Sequence, residues 1–320
     1  MSIDAQTHED AETFDDQDDE ESKSPIKRWA DDWIRNPEKA YSVMLVFMGG
    51  VLLTTTLFPL YWLFAVAMTP PGQSDIPLIP ATFDFSAFIV IFQRIPFARY
   101  MFNSLFYAVS VTLIVLVVGS LAGYAFGRLR FKGKKVLLFS LLLISFFPPA
   151  TLFLPLFQAF NQQIKMLGLF TLPVEIYQTP AAVITPISAF AMPLAIFILT
   201  TFYSQIPDGL EDAARIEGTT RLGALFRVVV PLSAPGVATA GILTFITTYV
   251  EFFFSFLMTG DQASEWAPIV NGVLAFQTRY TVRYDLQAAA SLVAIIPVAI
   301  LVVVAQEKII SGLTQGALKE

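Results

Sequence analysis

The sequence predicts an all-α integral membrane protein with six transmembrane helices. Hydrophobic residues make up 55% of the 320-residue chain, only 14% of the residues are charged, and the mean hydropathy is +0.63. A water-soluble protein of this length does not bury so much apolar surface, so the solvent is a lipid bilayer. Polar or proline-rich loops separate six apolar segments that are each long enough to span it. The predicted spans are residues 41–68, 97–126, 136–160, 181–203, 236–258 and 286–306.

The chain begins with a polar segment that differs from the rest. Residues 1–22 contain ten acidic residues and no Lys or Arg. Such a segment buries too little apolar surface to offset its ordering entropy, so residues 1–24 are expected to be a disordered acidic tail. A regulatory or partner-binding role for this tail is the alternative. Residues 25–40 place Trp29 and Trp33 on one face of a short helix, which predicts an amphipathic helix in the headgroup region.

The distribution of basic residues predicts the orientation of the spans. Six spans place both termini on one side of the membrane, together with the loops that follow the second and fourth spans. That side carries fifteen of the 20 Lys and Arg residues, and the opposite side carries five. Short cytoplasmic loops are enriched in Lys and Arg, so we expect both termini and these two loops to be cytoplasmic.

Residues 204–235, the longest polar interruption in the second half of the chain, predict two short helices around a glycine. We call this segment the knob. Pro207 suits the first helical turn, where its missing N–H has no intrahelical partner. Acidic residues that follow it, among them Glu211 and Asp212, favour the positive end of a helix dipole. The first half of the knob is therefore expected to be helical.

Gly218 divides the knob, because glycine adopts the left-handed conformation that ends a helix. Thr219 or Thr220 is expected to cap the second helix, and Pro231, which lacks a hydrogen-bond donor, is expected to stop it. The apolar stripe expected on this helix consists of Leu222, Leu225, Phe226 and Val229.

The knob resembles the EAA loop of ABC importer permeases, E-A-A-x3-G-x9-I-x-L-P. The matching residues are Asp212, Ala213, Ala214, Gly218, Val228, Val230 and Pro231, with Asp in place of Glu and valines in place of Ile and Leu. In that family the loop is cytoplasmic and docks into a cleft on the ATPase subunit. The resemblance therefore implies that the ATPase-coupling residues are Glu211, Asp212, Ala213, Ala214, Arg215, Gly218 and Pro231. The alternative is an ordinary amphipathic connector with solvated charges.

Three further stretches are similar to the MalG-type permeases of carbohydrate importers: residues 123–135, Asn103 with Ser104, and the G-L-T-x-G-A-x-K pattern of residues 312–319. The resemblance covers roughly residues 41–320, which it identifies as a permease domain of the type I ABC importer fold. It implies a prokaryotic plasma-membrane subunit that translocates a mono- or oligosaccharide. The implied partners are an extracytoplasmic solute-binding protein, a second, MalF-like permease, two ATPase subunits and the bilayer.

The composition excludes most catalytic chemistry. The chain has no cysteine, and its one histidine, His8, lies in the acidic tail. A thiol nucleophile, a Cys-ligated metal and a His-based triad are therefore excluded. No Walker-type glycine-rich loop is present, so we expect a transport subunit without a cofactor of its own. The resemblance implies that ATP and Mg²⁺ bind the partner ATPase. The basic residues follow membrane topology and give no support for nucleic-acid binding.

Glu251 is the only acidic residue inside a predicted span, and an intramembrane carboxylate needs a partner or water. It is a candidate for the translocation path together with Tyr249 and Asn103; a structural contact between helices is the alternative. Glycines spaced four apart at 119, 123 and 127 predict close packing on a neighbouring span.

Other functions remain open at this stage. One is import of another small polar solute by the same kind of permease. An ion-coupled secondary transporter would need charged residues at mid-membrane, and apart from Glu251 the predicted spans contain no Asp, Glu, Lys or Arg away from their ends. A non-transporting membrane scaffold is the third possibility, and it would not respond to a solute.

Overall fold

The structure is a computed structural model that describes residues 37–70, 78–80, 82–161, 164–166, 170–172, 176–278 and 281–317. The predicted acidic tail, and the predicted interfacial helix as far as residue 36, lie outside these residues. Residues 37–40, which the sequence assigned to that interfacial helix, form the first turn of helix α1 instead. The chain divides into two units, residues 1–62 and residues 63–320.

The described residues are mostly helical. In chain order the helices are α1 (Pro37–Ala67), α2 (Ser86–Arg94), α3 (Phe97–Arg128), α4 (Lys134–Ser145), α5 (Phe153–Asn161), α6 (Pro180–Ser204), α7 (Asp208–Ile216), α8 (Arg221–Ala224), α9 (Val230–Leu232), α10 (Ala234–Tyr249), α11 (Phe253–Met258), α12 (Ile269–Leu274) and α13 (Tyr284–Ala317). A π-helical turn, Leu225–Val229, joins α8 to α9, and 3₁₀ turns occur at Pro149–Leu152 and Ala263–Glu265. Two antiparallel strands, β1 (Ile164–Met166) and β2 (Phe170–Leu172), pair with Lys165 opposite Thr171.

Within the described part of the chain, α1, α3, α6 and α13 are long and apolar enough to cross a membrane. Two bent helix pairs raise the number of candidate spans from four to six. The first pair, residues 134–145 and 149–160, is the predicted third span and bends by 88°. Pro148 and Pro149 explain the bend, because a proline disfavours helical geometry in the residue before it and cannot donate to the helix. The all-α membrane fold is thus confirmed.

The predicted fifth span, residues 236–258, is interrupted. Helix α10 ends at Tyr249, and α11 begins at Phe253 after a non-helical segment. The second bent pair joins residues 221–232 to α10 at an angle of 85°. Two other boundaries differ from the sequence prediction. The predicted loop over residues 69–96 contains α2, and the predicted C-terminal tail continues α13 as far as Ala317.

The glycines of α3 allow close packing against α6. A methyl group at Gly123 would lie 2.8 Å from Cβ of Leu199, and one at Gly127 would lie 3.2 Å from the carbonyl oxygen of Thr200. Gly119 faces the same helix, and a methyl group there would lie 3.4 Å from Leu199. The predicted close packing is therefore an interface between two helices of this chain.

A second close approach joins α6 to α10. A methyl group at Gly236, in the first turn of α10, would lie only 2.2 Å from the ring of Phe202. No residue larger than glycine fits there unless the ring moves. The chain thus leaves α6 to form the knob and returns to contact α6 at the start of α10.

Candidate functional site: the knob between α6 and α10

The first half of the knob is the helix that the sequence predicts. Pro207 has extended backbone angles (φ −57°, ψ 136°) and precedes the first helical residue, Asp208. It therefore lies one position before the first turn, where its missing N–H costs no helical hydrogen bond. Asp208 and Glu211 occupy the first turn and Arg215 the last, so the charges at both ends favour the helix dipole.

The turn after α7 has the hydrogen bonds of a Schellman motif. Gly218 N–H donates to the carbonyl of Arg215 at 3.0 Å, and Thr219 N–H donates to the carbonyl of Ala214 at 3.1 Å. The φ angle of Gly218 is +90°, a region that residues with a Cβ rarely adopt. The predicted left-handed glycine is therefore observed.

The second half of the knob begins at a threonine cap. Of the two candidates, Thr220 accepts a hydrogen bond from Gly223 N–H at 3.1 Å. Helix α8 continues through the π-helical turn into α9, so Pro231 does not stop the helix. As the second residue of α9 it lies inside this continuous helix, where its missing N–H removes one helical hydrogen bond, and the helix ends after Leu232.

The apolar residues of the knob divide into two groups. Leu225 and Val229 are fully buried. Leu210, Ile216, Leu222 and Phe226 are exposed. The predicted apolar stripe of the second helix is thus only half buried within this chain. Several large exposed apolar residues on an otherwise polar segment are a feature of interaction surfaces.

The acidic residues of the knob also face in two directions. Asp212 is exposed and pairs with Arg215 at 3.6 Å, an i,i+3 contact between exposed groups that adds little stability. Glu211 is buried, and both of its carboxylate oxygens accept hydrogen bonds from α3. Tyr124 Oη donates to Oε1, and Arg128 Nε donates to Oε2 at 2.9 Å.

Arg128 has two further partners at the junction of α6 and α7. Its Nη1 donates to the carbonyl oxygen of Ile206 at 2.6 Å and lies 2.9 Å from a carboxylate oxygen of Asp208. The side chain of Arg128 is 5% exposed. We call Tyr124, Arg128, Ile206, Asp208 and Glu211 the Arg128 cluster.

The Arg128 cluster lowers the pKa of Glu211 below its ordinary value of 4.5. Burial alone raises the pKa, because it disfavours the charged form. The hydrogen bonds from Tyr124 and Arg128 and the positive charges of Arg128 and Arg215 oppose it and outweigh it. Glu211 is therefore a carboxylate at neutral pH.

The lowered pKa predicts how stability depends on pH. Because the pKa is lower in the folded chain, the ionised carboxylate stabilises the fold fully above 4.5, and the effect is lost as the pH falls through the lowered pKa. We expect the difference in apparent unfolding temperature between wild type and Glu211→Gln to be large near neutral pH and to shrink in acid. Thermal unfolding of the detergent-solubilised chain from about pH 7 to about pH 3 measures this. Asp212→Asn is the control and should show little difference; a Glu211→Gln difference that grows in acid contradicts the prediction.

The three residues predicted to line a translocation path all have hydrogen-bond partners within the chain. Asn103 is fully buried, and its Nδ2 donates to the carbonyls of Ala263 and Ala267 at 2.9 and 2.8 Å. Tyr249 Oη donates to the carbonyl of Ala294 at 3.0 Å.

Glu251 caps helix α11. Its carboxylate accepts the N–H groups of Phe254 and Ser255 at 2.7 and 3.0 Å, and the Ser255 hydroxyl at 2.7 Å. These contacts fit the structural alternative for Glu251, and its place on the path stays a prediction. Within the described residues, no group of three His, Cys, Asp or Glu side chains is arranged to hold a metal ion.

Sequence reasoning missed Tyr124 and Arg128. Arg128 looked like one more basic residue of the cytoplasmic loop, but it ends α3 with a side chain that is only 5% exposed. A signal was present, because the two residues are four apart and adjacent to Gly123 and Gly127. They therefore lie beside the helix face that contacts α6.

Two short helices joined by a glycine turn, placed between membrane-spanning helices, are the arrangement that ABC importer permeases have. Residues 116–307, more than half of the chain, match the family described as binding-protein-dependent transport system inner membrane component. The chain belongs to this family. The resemblance of the knob to the EAA loop therefore has support from most of the sequence.

Relatives of this chain include three transport permeases. It is 34% identical over 274 residues to the sulfoquinovosyl glycerol transport system permease protein SmoH of Agrobacterium fabrum, covering 85% of this chain and 92% of SmoH. It is 35% identical to the trehalose transport system permease protein SugB of Mycobacterium tuberculosis, covering 82% and 92%. It is 32% identical to the trehalose/maltose transport system permease protein MalG of Thermococcus litoralis, covering 88% and 99%.

A solved structure has the same fold. A chain of a bacterial ABC transporter involved in the import of the acidic polysaccharide alginate superposes with a TM-score of 0.68 over 85% of this chain and 97% of that one, at 20% identity. This protein is thus a multi-pass permease subunit of a binding-protein-dependent ABC importer in the inner (plasma) membrane. It is not the catalytic subunit, since the ATPase is a separate protein.

Proposed function

We propose that this permease imports a carbohydrate, a mono- or oligosaccharide that an extracytoplasmic binding protein delivers. The observation that carries the proposal is the similarity to SmoH, SugB and MalG, which extends over more than four fifths of this chain. The names of all three refer to sugars or sugar derivatives. In the proposed assembly, a second, MalF-like permease completes the path and two ATPase subunits bind ATP and Mg²⁺.

We propose further that the knob and both termini are cytoplasmic and that the knob docks on an ATPase subunit. The charge asymmetry of the loops supports this orientation. Exposed apolar side chains on both knob helices support docking, because an apolar cleft on a partner would bury them. All seven candidate coupling residues stay in the proposal: Glu211, whose carboxylate faces α3, connects the knob to the spans, and Asp212, Ala213, Ala214, Arg215, Gly218 and Pro231 are proposed to face the ATPase.

The candidates for the translocation path remain Tyr249, Glu251 and Asn103, and the side chain of each also forms hydrogen bonds within this chain. Tyr249 and Glu251 lie at the end of α10 and the break after it, where a helix end supplies polar backbone groups. Such a break inside a membrane protein is tolerated where it is buried in protein or lines a polar cavity.

Reconstitution tests the function directly. The chain, its partner permease, the ATPase subunits and the binding protein are placed in proteoliposomes, and uptake of radiolabelled trehalose, maltose and an amino acid is measured. We expect ATP-dependent uptake of a sugar, ATP hydrolysis that the loaded binding protein stimulates, and no amino-acid uptake. Uptake of the amino acid alone contradicts the carbohydrate proposal. Failure of any ATPase subunit to co-purify with the chain contradicts the proposed coupling.

A further inference from the structure

We propose that α3 is the rigid element that carries movement of the knob to the outer face of the membrane, and that Tyr124 and Arg128 are the positioning residues that attach the knob to it. This inference rests on the proposed coupling role of the knob. It concerns where the displacement goes after an ATPase has moved the knob.

The attachment at the cytoplasmic end lies in the Arg128 cluster. Arg128 contacts a backbone carbonyl and two carboxylates, and these three acceptors belong to the α6–α7 junction and the first turn of α7. Tyr124, one turn earlier on α3, donates to the remaining oxygen of Glu211. Every carboxylate oxygen of Glu211 thus has a partner on α3. Displacement of α7 relative to α3 would leave buried charges unpaired, which is strongly unfavourable.

Geometry explains why a buried ion pair is used at this position. Replacing a buried ion pair by apolar residues is often neutral for stability, so stability alone is a weak reason for it. The planar guanidinium fixes the direction of several hydrogen bonds at once, which an apolar contact does not do. The cluster therefore fixes the orientation of α7 relative to α3.

The same helix is attached at its other end to the loop after α11. Asn103 Nδ2 donates to the carbonyls of Ala263 and Ala267. Ser104 Oγ accepts from Ile269 N–H at 2.8 Å. Tyr107 Oη donates to the carbonyl of Trp266 at 2.6 Å. Residues 263–269, which we call the outer loop, therefore form hydrogen bonds with three positions in the first part of α3.

The distance between the two attachments crosses the membrane. Helix α3 has 32 residues without a break, and at 1.5 Å per residue its attachment points at Asn103 and Arg128 are about 38 Å apart, more than the roughly 30 Å of the hydrocarbon core. It contains no proline, and its glycines pack against α6. A helix of this kind moves as one body, so displacement at Arg128 reaches the outer loop without an intervening hinge.

Two variants test the attachment in the reconstituted transporter. Arg128→Gln and Tyr124→Phe remove the guanidinium and the hydroxyl. We expect both complexes to retain the ATPase subunits and basal ATP hydrolysis, while solute transported per ATP hydrolysed falls by about tenfold, within the range of coupling between distant sites. Matched controls are Arg130→Gln, at an exposed arginine of the following loop, and Tyr203→Phe, which removes a buried hydroxyl bonded to Ser120 at 3.0 Å. Both control variants should transport as much solute per ATP hydrolysed as the wild type does.

A fluorophore on the outer loop tests the destination of the movement. Because the chain has no cysteine, Ser264→Cys in this exposed position gives a single labelling site. We expect a change in fluorescence when a non-hydrolysable ATP analogue binds the wild-type complex, and loss of this change in the Arg128→Gln complex at saturating analogue. A purely structural role for Arg128 predicts fewer assembled complexes, in which the solute transported per ATP hydrolysed and the change in fluorescence are the same as in the wild type. That outcome overturns the proposal.

A covalent bridge provides a rescue. Tyr124→Cys combined with Glu211→Cys removes the hydrogen bond, and a short bifunctional methanethiosulfonate restores a link that a reductant reverses. We expect transport per ATP to recover in the bridged complex and to fall again after reduction. Inhibition by the bridge would mean that the contact must open during the cycle and would refute the inference. Wild-type uptake and ATPase co-purification, measured in parallel, report separately on the proposed function.

Discussion

Replacing Gly218 by valine is expected to abolish most ATP-driven transport while the chain still inserts in the membrane. The φ angle of +90° is disfavoured for a residue with a Cβ, most of all a β-branched one, by about 1–2 kcal/mol. Among the described residues, no atom beyond the two chain neighbours lies within 4 Å of the position that a Cβ would occupy, so the effect comes from the backbone alone. A penalty of this size lowers the ratio of correctly formed to distorted turns by roughly 5–30-fold. Solute uptake and the yield of the membrane fraction are the two measurements.

Gly133 provides a matched control for this experiment. It has a φ of +85°, and its Cβ position is likewise free of described atoms within 4 Å other than those of its chain neighbours, but it precedes α4 in a different loop. Gly133→Val therefore carries a similar backbone penalty away from the knob and should leave uptake near the wild-type level. Equal loss in the two variants would show that strain in either loop suffices, and the turn in the knob would have no special role.

Replacing Gly123 by valine is expected to destabilise the folded chain. The new Cβ would lie 2.8 Å from Cβ of Leu199 and 3.3 Å from the backbone nitrogen of Thr200, and neither atom moves without moving α6. Overpacking of this kind costs about 1–3 kcal/mol. We expect the apparent unfolding temperature of the solubilised protein to fall by roughly 2–12 °C, with a lower yield from membranes.

The control for this variant is Gly209→Val. Gly209 is exposed in α7, and apart from its own helix backbone and chain neighbours no described atom would lie within 4 Å of a Cβ at this position. Valine has a higher helix propensity than glycine, so the unfolding temperature should stay the same or rise slightly. If Gly123→Val unfolds at the wild-type temperature, the contact between α3 and α6 is looser than its geometry indicates.

Local signals explain which parts of the fold were predictable. The ends of α3 and α6 follow from unbroken apolar runs, and the Gly218 turn follows from a residue type that almost alone tolerates its φ angle. The glycine spacing of α3 predicted a close helix contact. Each of these predictions needed only residues within a few turns of one another. The unequal distribution of Lys and Arg among the loops is also visible in the sequence, but it does not indicate which residue any charged side chain pairs with.

The features that the sequence did not predict depend mostly on contacts between residues far apart in the chain. Tyr124 and Arg128 are 87 and 83 residues away from Glu211 in the chain, and no periodicity links them. Glu211 and Asp212 are adjacent acids that look alike in the sequence, yet one is buried and one is exposed. The break at Glu251 was missed for a different reason. Its carboxylate looked like a polar group within a span, whereas it starts a new helix by accepting backbone N–H groups.

The contact between Phe202 and Gly236 has a mechanical consequence. The start of the knob is held by Arg128, which binds the carbonyl oxygen of Ile206. The end of the knob is held at Gly236, where the ring of Phe202 fills the space that a side chain would occupy. The two ends of the knob are therefore held by two different helices, α3 and α6, which pack closely against each other. A loop anchored in this way does not absorb a push by spreading apart, so force applied at its tip becomes a torque on the helices beneath it.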